Sequence, residues 1–387
     1  MLSALTSHFQ SSTLGALSRQ FSTQMPLSRS EILKCIGDKP ISEDKALFER
    51  ANDVTKSVYG NKVFLRGIIE FSNHCAKNCN YCGIRRDHPD PERYEMSQDD
   101  ILETIKWAHE KRYAGILLQS GEVGTQDRVD FVADTLKKAR KLTGDKVRYI
   151  LSLGELTDDQ YYQLLQAGAD RYLLRMETSN PALYAKLHPQ DGHHDWLKRL
   201  NCVKSLVGMG YQVATGVMTG LPGQTKDDLA DDIEMFNELG IDMIGLGPYI
   251  PQVKTPTADA WMAERGRDSI ELTADDKAKM LLDTIRMLAT IRLCNPDVNI
   301  AATTALQALK DDGREWALES GANVVMPILT PKTFRAEYQL YQNKPCIDDS
   351  ASECMGCMDR RVRSIGKTLC FGELGDPKHF TDRIKKV

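Results

Sequence analysis

The run Cys75-Ala76-Lys77-Asn78-Cys79-Asn80-Tyr81-Cys82 follows a β-rich stretch, Phe64 to Asn73, so three thiols leave one short loop at the end of a strand. Three thiolates this close can ligate three irons of a [4Fe–4S] cube and leave the fourth iron open to a further ligand. The competing reading is a structural zinc loop. Zinc usually takes four ligands, however, and the one further candidate nearby is His74. Outward from the loop, the β-rich runs continue in alternation with helical patterns: Ala114 to Gly121, Val147 to Glu155, Arg171 to Ser179, Gln212 to Pro222, Met243 to Pro251, Asn299 to Leu306 and Asn323 to Leu329. Polar caps followed by acids open the intervening helices, as in Ser97-Gln98-Asp99-Asp100, Thr157-Asp158-Asp159-Gln160 and Thr225-Lys226-Asp227-Asp228. Strand-then-helix units in this number predict an α/β fold, a complete (β/α)8 TIM-type barrel, with its chemistry at the carboxyl ends of the strands.

The 387 residues divide into an organellar presequence over 1–21, an N-terminal helical lead-in over 22–60, the barrel over 61–330 and a C-terminal extension over 331–387. A formal net charge of -4 gives no basic footprint for nucleic acid, and no stretch reaches the roughly 18 apolar residues of a membrane span. Of the 10 cysteines, six form two triplets, Cys75/Cys79/Cys82 and Cys346/Cys354/Cys357. That pattern suits metal ligation in a reducing compartment, with Cys35, Cys202, Cys294 and Cys370 as ordinary buried thiols. No acid precedes Glu31, while His8, Arg19 and Arg29 are present. Arg19-Gln20-Phe21-Ser22 has the form of an arginine-anchored import site cleaved after Phe21. The expected address is an organellar matrix, a hydrogenosome foremost, with a mitochondrion or plastid as alternatives; a disordered tail with no address is the plainer reading.

Several strand ends carry polar residues. The second ends Gln119-Ser120-Gly121-Glu122, a turn whose carbonyls and carboxylate can accept hydrogen bonds from an ammonium group, although Ser-Gly-Glu is also an ordinary turn. The third carries Ser152 and Glu155, and the fourth ends Arg175-Met176-Glu177. A carboxylate ending an apolar strand inside a barrel is costly unless paired, so Glu177 is expected to meet a cation or ribose hydroxyls. Arg199, on the next helix, is a candidate partner for a carboxylate, against the plain alternative of a solvated helix face. Strand five carries Met218-Thr219-Gly220, and strand seven Thr303-Thr304.

The C-x3-C-x2-C spacing is the signature of radical S-adenosylmethionine enzymes. Together with Cys82-Gly-Ile-Arg85, Leu118-Gln-Ser-Gly-Glu122, Ser152-Leu-Gly-Glu155, Ala167-Gly-Ala-Asp-Arg-Tyr-Leu-Leu-Arg175, Gly220-Leu-Pro-Gly-Gln-Thr225 and Ala322-Asn-Val-Val-Met-Pro327, the chain closely resembles the HydE-type radical S-adenosylmethionine maturases of [FeFe]-hydrogenase over Phe64 to Cys357. The resemblance implies that Cys75, Cys79 and Cys82 hold the catalytic [4Fe–4S] cluster and that its open iron binds S-adenosylmethionine, the source of a 5′-deoxyadenosyl radical. It implies that Tyr81 lies beside the adenine and that the turn Gln119, Ser120, Gly121, Glu122 holds the methionyl amine. Ser152, Glu177, Arg199 and Met218 would line the rest of that site, with Arg335 and Tyr338 facing the inner cavity. The second triplet, Cys346, Cys354 and Cys357, matches an accessory [2Fe–2S] site of some members, its fourth ligand being water, Asp348, Glu353 or nothing stable, with zinc or empty thiols as the alternative. The implied substrate is a small cysteine-bound iron carbonyl–cyanide complex, used in assembling the hydrogenase di-iron subcluster. The implied partners are the other hydrogenase maturases and a reducing electron donor such as ferredoxin. Biotin synthase and methylornithine synthase are the alternatives, and a non-catalytic iron–sulfur carrier is a third. Biotin synthase also needs a second cluster inside the barrel, whereas Gln119, Ser120, Ser152, Met218, Thr219 and Thr303 at the strand ends include no cysteine.

Overall fold

The structure, a computed structural model, describes residues 27–385. The expected presequence over 1–21, with its cleavage after Phe21, lies outside the described residues. Eight parallel strands close on themselves: β1 (Lys62–Ser72), β2 (Gly115–Ser120), β3 (Arg148–Ser152), β4 (Arg171–Leu173), β5 (Gln212–Thr219), β6 (Met243–Pro248), β7 (Asn299–Ala302) and β8 (Val324–Val325). β1 pairs with β2 on one side and β8 on the other, which completes the barrel. The expected (β/α)8 architecture is therefore the observed one. β4 and β8 are much shorter than their β-rich runs, because the chain leaves the ladder early to form the mouth; beyond β4 only an isolated bridge, Glu177 to Val217, continues the pairing. A ninth strand, β9 (Thr368–Cys370), comes from the C-terminal extension and pairs with the start of β1.

The helices begin where their caps require. The Thr157, Thr225 and Thr273 side chains each accept from the third residue on, in reciprocal capping boxes. Ser97 caps Gln98–Glu110 by accepting from Asp100 N. The lead-in comprises helices Arg29–Ile36, capped by Ser28, and Ile41–Tyr59. The second docks on helix Ala274–Cys294 through a fully buried bidentate pair, Arg286 with Asp44 at 2.8 Å. Among the described residues no helix is long and apolar enough to cross a membrane.

Apolar side chains between barrel and helices form the main core. The barrel's amino-terminal end is plugged by a polar layer. Arg171 donates to Leu374 O and Asp376 Oδ1, Arg66 and Asn299 donate to Gly375 O, and Gln212 donates to Asp376 Oδ1. Gly115 makes room for this layer, since a Cβ there would lie 2.9 Å from Arg66 Cγ. The extension thus seals the floor, which leaves the carboxyl mouth as the working end.

Candidate functional site

The cysteine loop leaves β1 with little regular structure of its own, and its backbone is held by groups from around the mouth. Ala76 N donates to Glu122 O (2.8 Å), Asn80 N to Leu187 O (2.9 Å) and Gly83 N to Leu340 O (3.0 Å). Arg93 adds bonds to Asn73 O, Ile84 O and Arg85 O. Two glycines permit these approaches: a Cβ on Gly121 would lie 2.2 Å from His74 O, and one on Gly83 2.0 Å from Gln339 O. Burial pushes all three thiols up, Cys82 to about 12, so metal binding must displace their protons.

A single ion about 2.3 Å from three thiolates would hold them within about 4.6 Å of one another. Cys75, Cys79 and Cys82 do not form such a group. Among the described residues only Cys346, Asp349 and Cys354 bring their ligand atoms within 4.8 Å of one another.

Beside the loop lies a buried network of charges. Arg199 bridges Glu122 (3.0 Å) and Glu155 (2.9 Å), and Glu155 also meets Lys77 (3.0 Å). Arg175 makes a bidentate pair with Glu177, both bonds 2.8 Å, while its remaining donors reach Gly245 O and Val217 O. Burial alone would raise the Glu122 carboxyl, but Arg199 and Lys77 hold it below the usual range. Glu177 sits at a left-handed φ of 66°, a strained conformation for a residue with a Cβ and one that concentrates at functional positions.

These observations sort the expected residues. Glu177 meets a cation, as expected, and the cation is Arg175. Arg199 is not on a solvated helix face; its guanidinium is tied to two carboxylates and to Arg175 O. Glu122 and Gly121 touch the cysteine loop, and buried Ser120 donates to Gly121 O. Tyr81 and Met218 pack in one apolar cluster with Leu183, Leu221 and Tyr249. Ser152 ends β3 opposite Gln119, whose amide donates to the Tyr338 hydroxyl at 3.2 Å. Tyr338 is buried at the mouth. Arg335 corrects the expectation that it faces the inner cavity: its donors go to Thr330 O, Ile328 O, Cys346 O and Asp349 O, which makes it a clamp on the extension.

Several residues were not singled out from sequence. Arg175 and Lys77 stand inside quoted motifs without any spacing signal of their own, and Glu155, though at a strand end, gives no sign in the sequence of its pairs with Arg199 and Lys77. Lys344, from the extension, pairs with Glu70 of β1 at 2.6 Å inside the barrel. His194 comes from a loop more than a hundred residues from the cysteines; its Nε2 accepts from Asn78 N at 3.2 Å and lies 3.8 Å from Cys79 Sγ, while Nδ1 donates to Asp191.

The second triplet is brought together only in part. Cys346 and Cys354 converge with Asp349, whereas Cys357 is exposed and lies outside the group. Neither expected fourth ligand belongs to it. Asp348 is not in the group, and Glu353 closes a capping box with Ser350 at the start of helix Ala351–Ser364.

Comparison with known proteins fits this geometry. The family model described as the radical SAM superfamily matches residues 69–236. The chain is 40% identical over 340 residues to the [FeFe] hydrogenase maturase subunit HydE of Thermotoga maritima, covering 87% of this chain and 90% of that one. It is 29% identical over 219 residues to a biotin synthase of Gloeothece citriformis, covering 54% and 59%. Its fold superimposes on the crystal structure of a methylornithine synthase with a TM-score of 0.73 at 22% identity, over 93% of this chain and 98% of the other.

Proposed function

Because this chain belongs to the HydE family of radical S-adenosylmethionine maturases of [FeFe]-hydrogenase, we propose that it acts on a small cysteine-bound iron carbonyl–cyanide complex during assembly of the hydrogenase di-iron subcluster. It is a radical S-adenosylmethionine enzyme, and the family implies a [4Fe–4S] cluster and S-adenosylmethionine. Bound at the mouth, these would supply a 5′-deoxyadenosyl radical by one-electron cleavage.

The chain's own residues would bind and shield. Cys75, Cys79 and Cys82 are the ligands of the cluster in this reading. The carbonyls of the Ser120-Gly121-Glu122 turn would hold the methionyl ammonium, and Arg199, fixed by Glu122 and Glu155, would hold the methionyl carboxylate. Tyr81 and Met218 would give the adenine an apolar wall. Glu177 keeps acceptor capacity beyond its two bonds to Arg175 and can take ribose hydroxyls. The Arg175–Glu177 pair at the mouth and the Lys344–Glu70 pair inside the barrel, each neutral overall, suit a polar substrate.

The observation that carries this substrate over dethiobiotin is the distribution of the remaining cysteines. Cys35, Cys202 and Cys294 lie on outer helices, Cys370 ends β9 at the floor and Cys346, Cys354 and Cys357 belong to the extension, so beyond the catalytic loop none of the described cysteines stands at the carboxyl end of one of the eight barrel strands, where a sulfur-donating cluster would have to sit. The partners in this reading are the other hydrogenase maturases and a low-potential donor such as ferredoxin. The acid-free first thirty residues support import into a hydrogenosome-like matrix, and an accessory [2Fe–2S] centre on the extension would not be needed for radical formation.

Co-expression with the partner maturases and an apo-[FeFe]-hydrogenase tests the proposal. Hydrogen evolution is expected with the wild-type chain and none on its omission, and dethiobiotin should stay unconverted. Biotin formation without hydrogenase activation would overturn it.

A further inference from the structure

The cysteine loop is backed on one side by the segment between helices Pro181–Leu187 and Trp196–Gly208. Lys77 Nζ donates to His193 O, Asn80 N to Leu187 O, and the Asn80 side-chain amide to Lys186 O at 3.2 Å. The segment thus follows the loop from Lys77 to Asn80. Between these contacts His194 turns inward, its side chain 1% exposed. Buried His188, stacked on Tyr184 with ring centroids 3.9 Å apart, packs with its centroid 5.0 Å from that of His194 and fixes the plane of the ring.

The hydrogen bonds decide which His194 nitrogen carries the proton. Nδ1 lies 2.9 Å from the Asp191 carboxylate, which accepts, so Nδ1 is the N–H. The Asn78 backbone N–H can only donate, and it points at Nε2 over 3.2 Å, so Nε2 presents a lone pair. The same nitrogen stands 3.8 Å from Cys79 Sγ. The other two thiols have different company. Backbone N–H groups of Glu122 and Lys77 favour the thiolate of Cys75, and that of Ile84 favours the thiolate of Cys82. Cys79 therefore faces an acceptor where the other two cysteines of the loop face donors.

Donors aimed at cluster sulfurs, and water that reaches them, stabilise the more negative reduced cluster and raise its potential. His194 opposes both effects. It engages the amide one residue before Cys79, covers the sulfur, and sets electron density against it. We propose that His194, held in its Nδ1–H tautomer by Asp191, is a positioning residue that withholds hydrogen-bond donors from Cys79 Sγ and so keeps the catalytic cluster strongly reducing. One-electron cleavage of a sulfonium bond demands such a reductant. The inference rests on the iron–sulfur ligation of the radical S-adenosylmethionine superfamily and is independent of the substrate proposed above.

The test is the midpoint potential of the cluster in the reconstituted full-length protein. Samples are poised at a series of potentials at one pH and read by electron paramagnetic resonance, with iron content measured in parallel. The catalytic cluster is identified by the change in its signal when S-adenosylmethionine is added. His194→Phe keeps the sulfur covered but has no lone pair, and should raise the midpoint so that the reduced-to-oxidised ratio at a fixed potential rises by about tenfold, which is about 59 mV for one electron. Asp191→Ala, which lets the ring carry its proton on Nε2 and donate to Cys79, should move the midpoint in the same direction with His194 still present. His194→Ala, which also admits water, should move it at least as far as His194→Phe. His193→Ala, at the exposed neighbour, should leave it unchanged. A purely structural role would lower iron content and leave the midpoint of the remaining clusters where it was. That result in His194→Phe, or a midpoint shifted to more negative values, would overturn the proposal; where His194→Phe holds no cluster, an unchanged midpoint in Asp191→Ala would do so. A parent chain with no signal responsive to S-adenosylmethionine would overturn the cluster assignment and this proposal with it.

Discussion

The catalytic loop at 75–82 and the extension at 346–357 use the same side chain under different constraints. The first has little regular structure, so its thiols are positioned by whatever surrounds them, namely Glu122 O from β2, Leu187 O after β4 and Leu340 O from the extension. Its geometry is a property of the closed barrel. The second is governed locally, by a helix that fixes the angle between Cys354 and Cys357 and by one arginine that bends the loop. Cysteine spacing reports nearness along the chain in both cases. It reports convergence only where no helix dictates direction.

The largest expected effect separates the two regions outright. Cys79→Ala should abolish the cluster's electron paramagnetic resonance signal, its response to S-adenosylmethionine and hydrogenase activation, whereas Cys354→Ser should remove surface metal and leave S-adenosylmethionine cleavage intact. Loss of cleavage in a folded Cys354→Ser chain would erase the distinction. Next, Glu177→Ala leaves Arg175 unpaired at the mouth and should destabilise the fold by about 3 kcal/mol, the low end for a broken buried pair, since the Arg175 side chain keeps 29% exposure. S-adenosylmethionine binding should weaken with it; a thermal midpoint equal to wild type would count against the pair.

A third test uses pH. Asp232 accepts from Ser179 N at 2.5 Å beside the mouth, and burial raises its carboxyl to about 7. The native state therefore holds this proton more tightly than the unfolded chain, so stability falls as pH rises from about 4 to about 7 and levels above that. Asp232→Asn should remove this slope and be the more stable form at pH 8 by on the order of 2 kcal/mol, with no advantage at pH 4. Parallel melting curves at the two pH values would contradict it. Smallest is His194→Ala, which strips the Asn78 amide of its acceptor at a cost of about 1 kcal/mol and should speed chelator-driven iron loss from the catalytic loop without changing metal on the extension.

Much of the barrel was legible because each strand is a short apolar run and each helix opens on a cap. The lengths of β4 and β8 were not, since the same β-branched and apolar residues serve equally a ladder and a mouth that leaves it. Within the site, Glu177 was readable as a carboxylate in need of a cation. Arg175 as that cation was not: two residues away on an extended chain, its side chain is expected on the same face, but only the left-handed turn at Glu177 closes the bidentate pair. Asp349 carried no signal, and Arg335 was legible as a residue of the mouth but not as a clamp, for a related reason. Their roles depend on backbone carbonyls brought together by the fold, and no residue pattern encodes those.

The extension seals the molecule at both ends. Leu340 and Lys344 cover the mouth, through Gly83 N and Glu70, and Leu374 to Asp376 stop the floor. All of these residues follow the last barrel strand in sequence, so a chain cut after residue 330 would leave a tube uncovered at both ends, its cysteine loop without the bond from Gly83 N to Leu340 O.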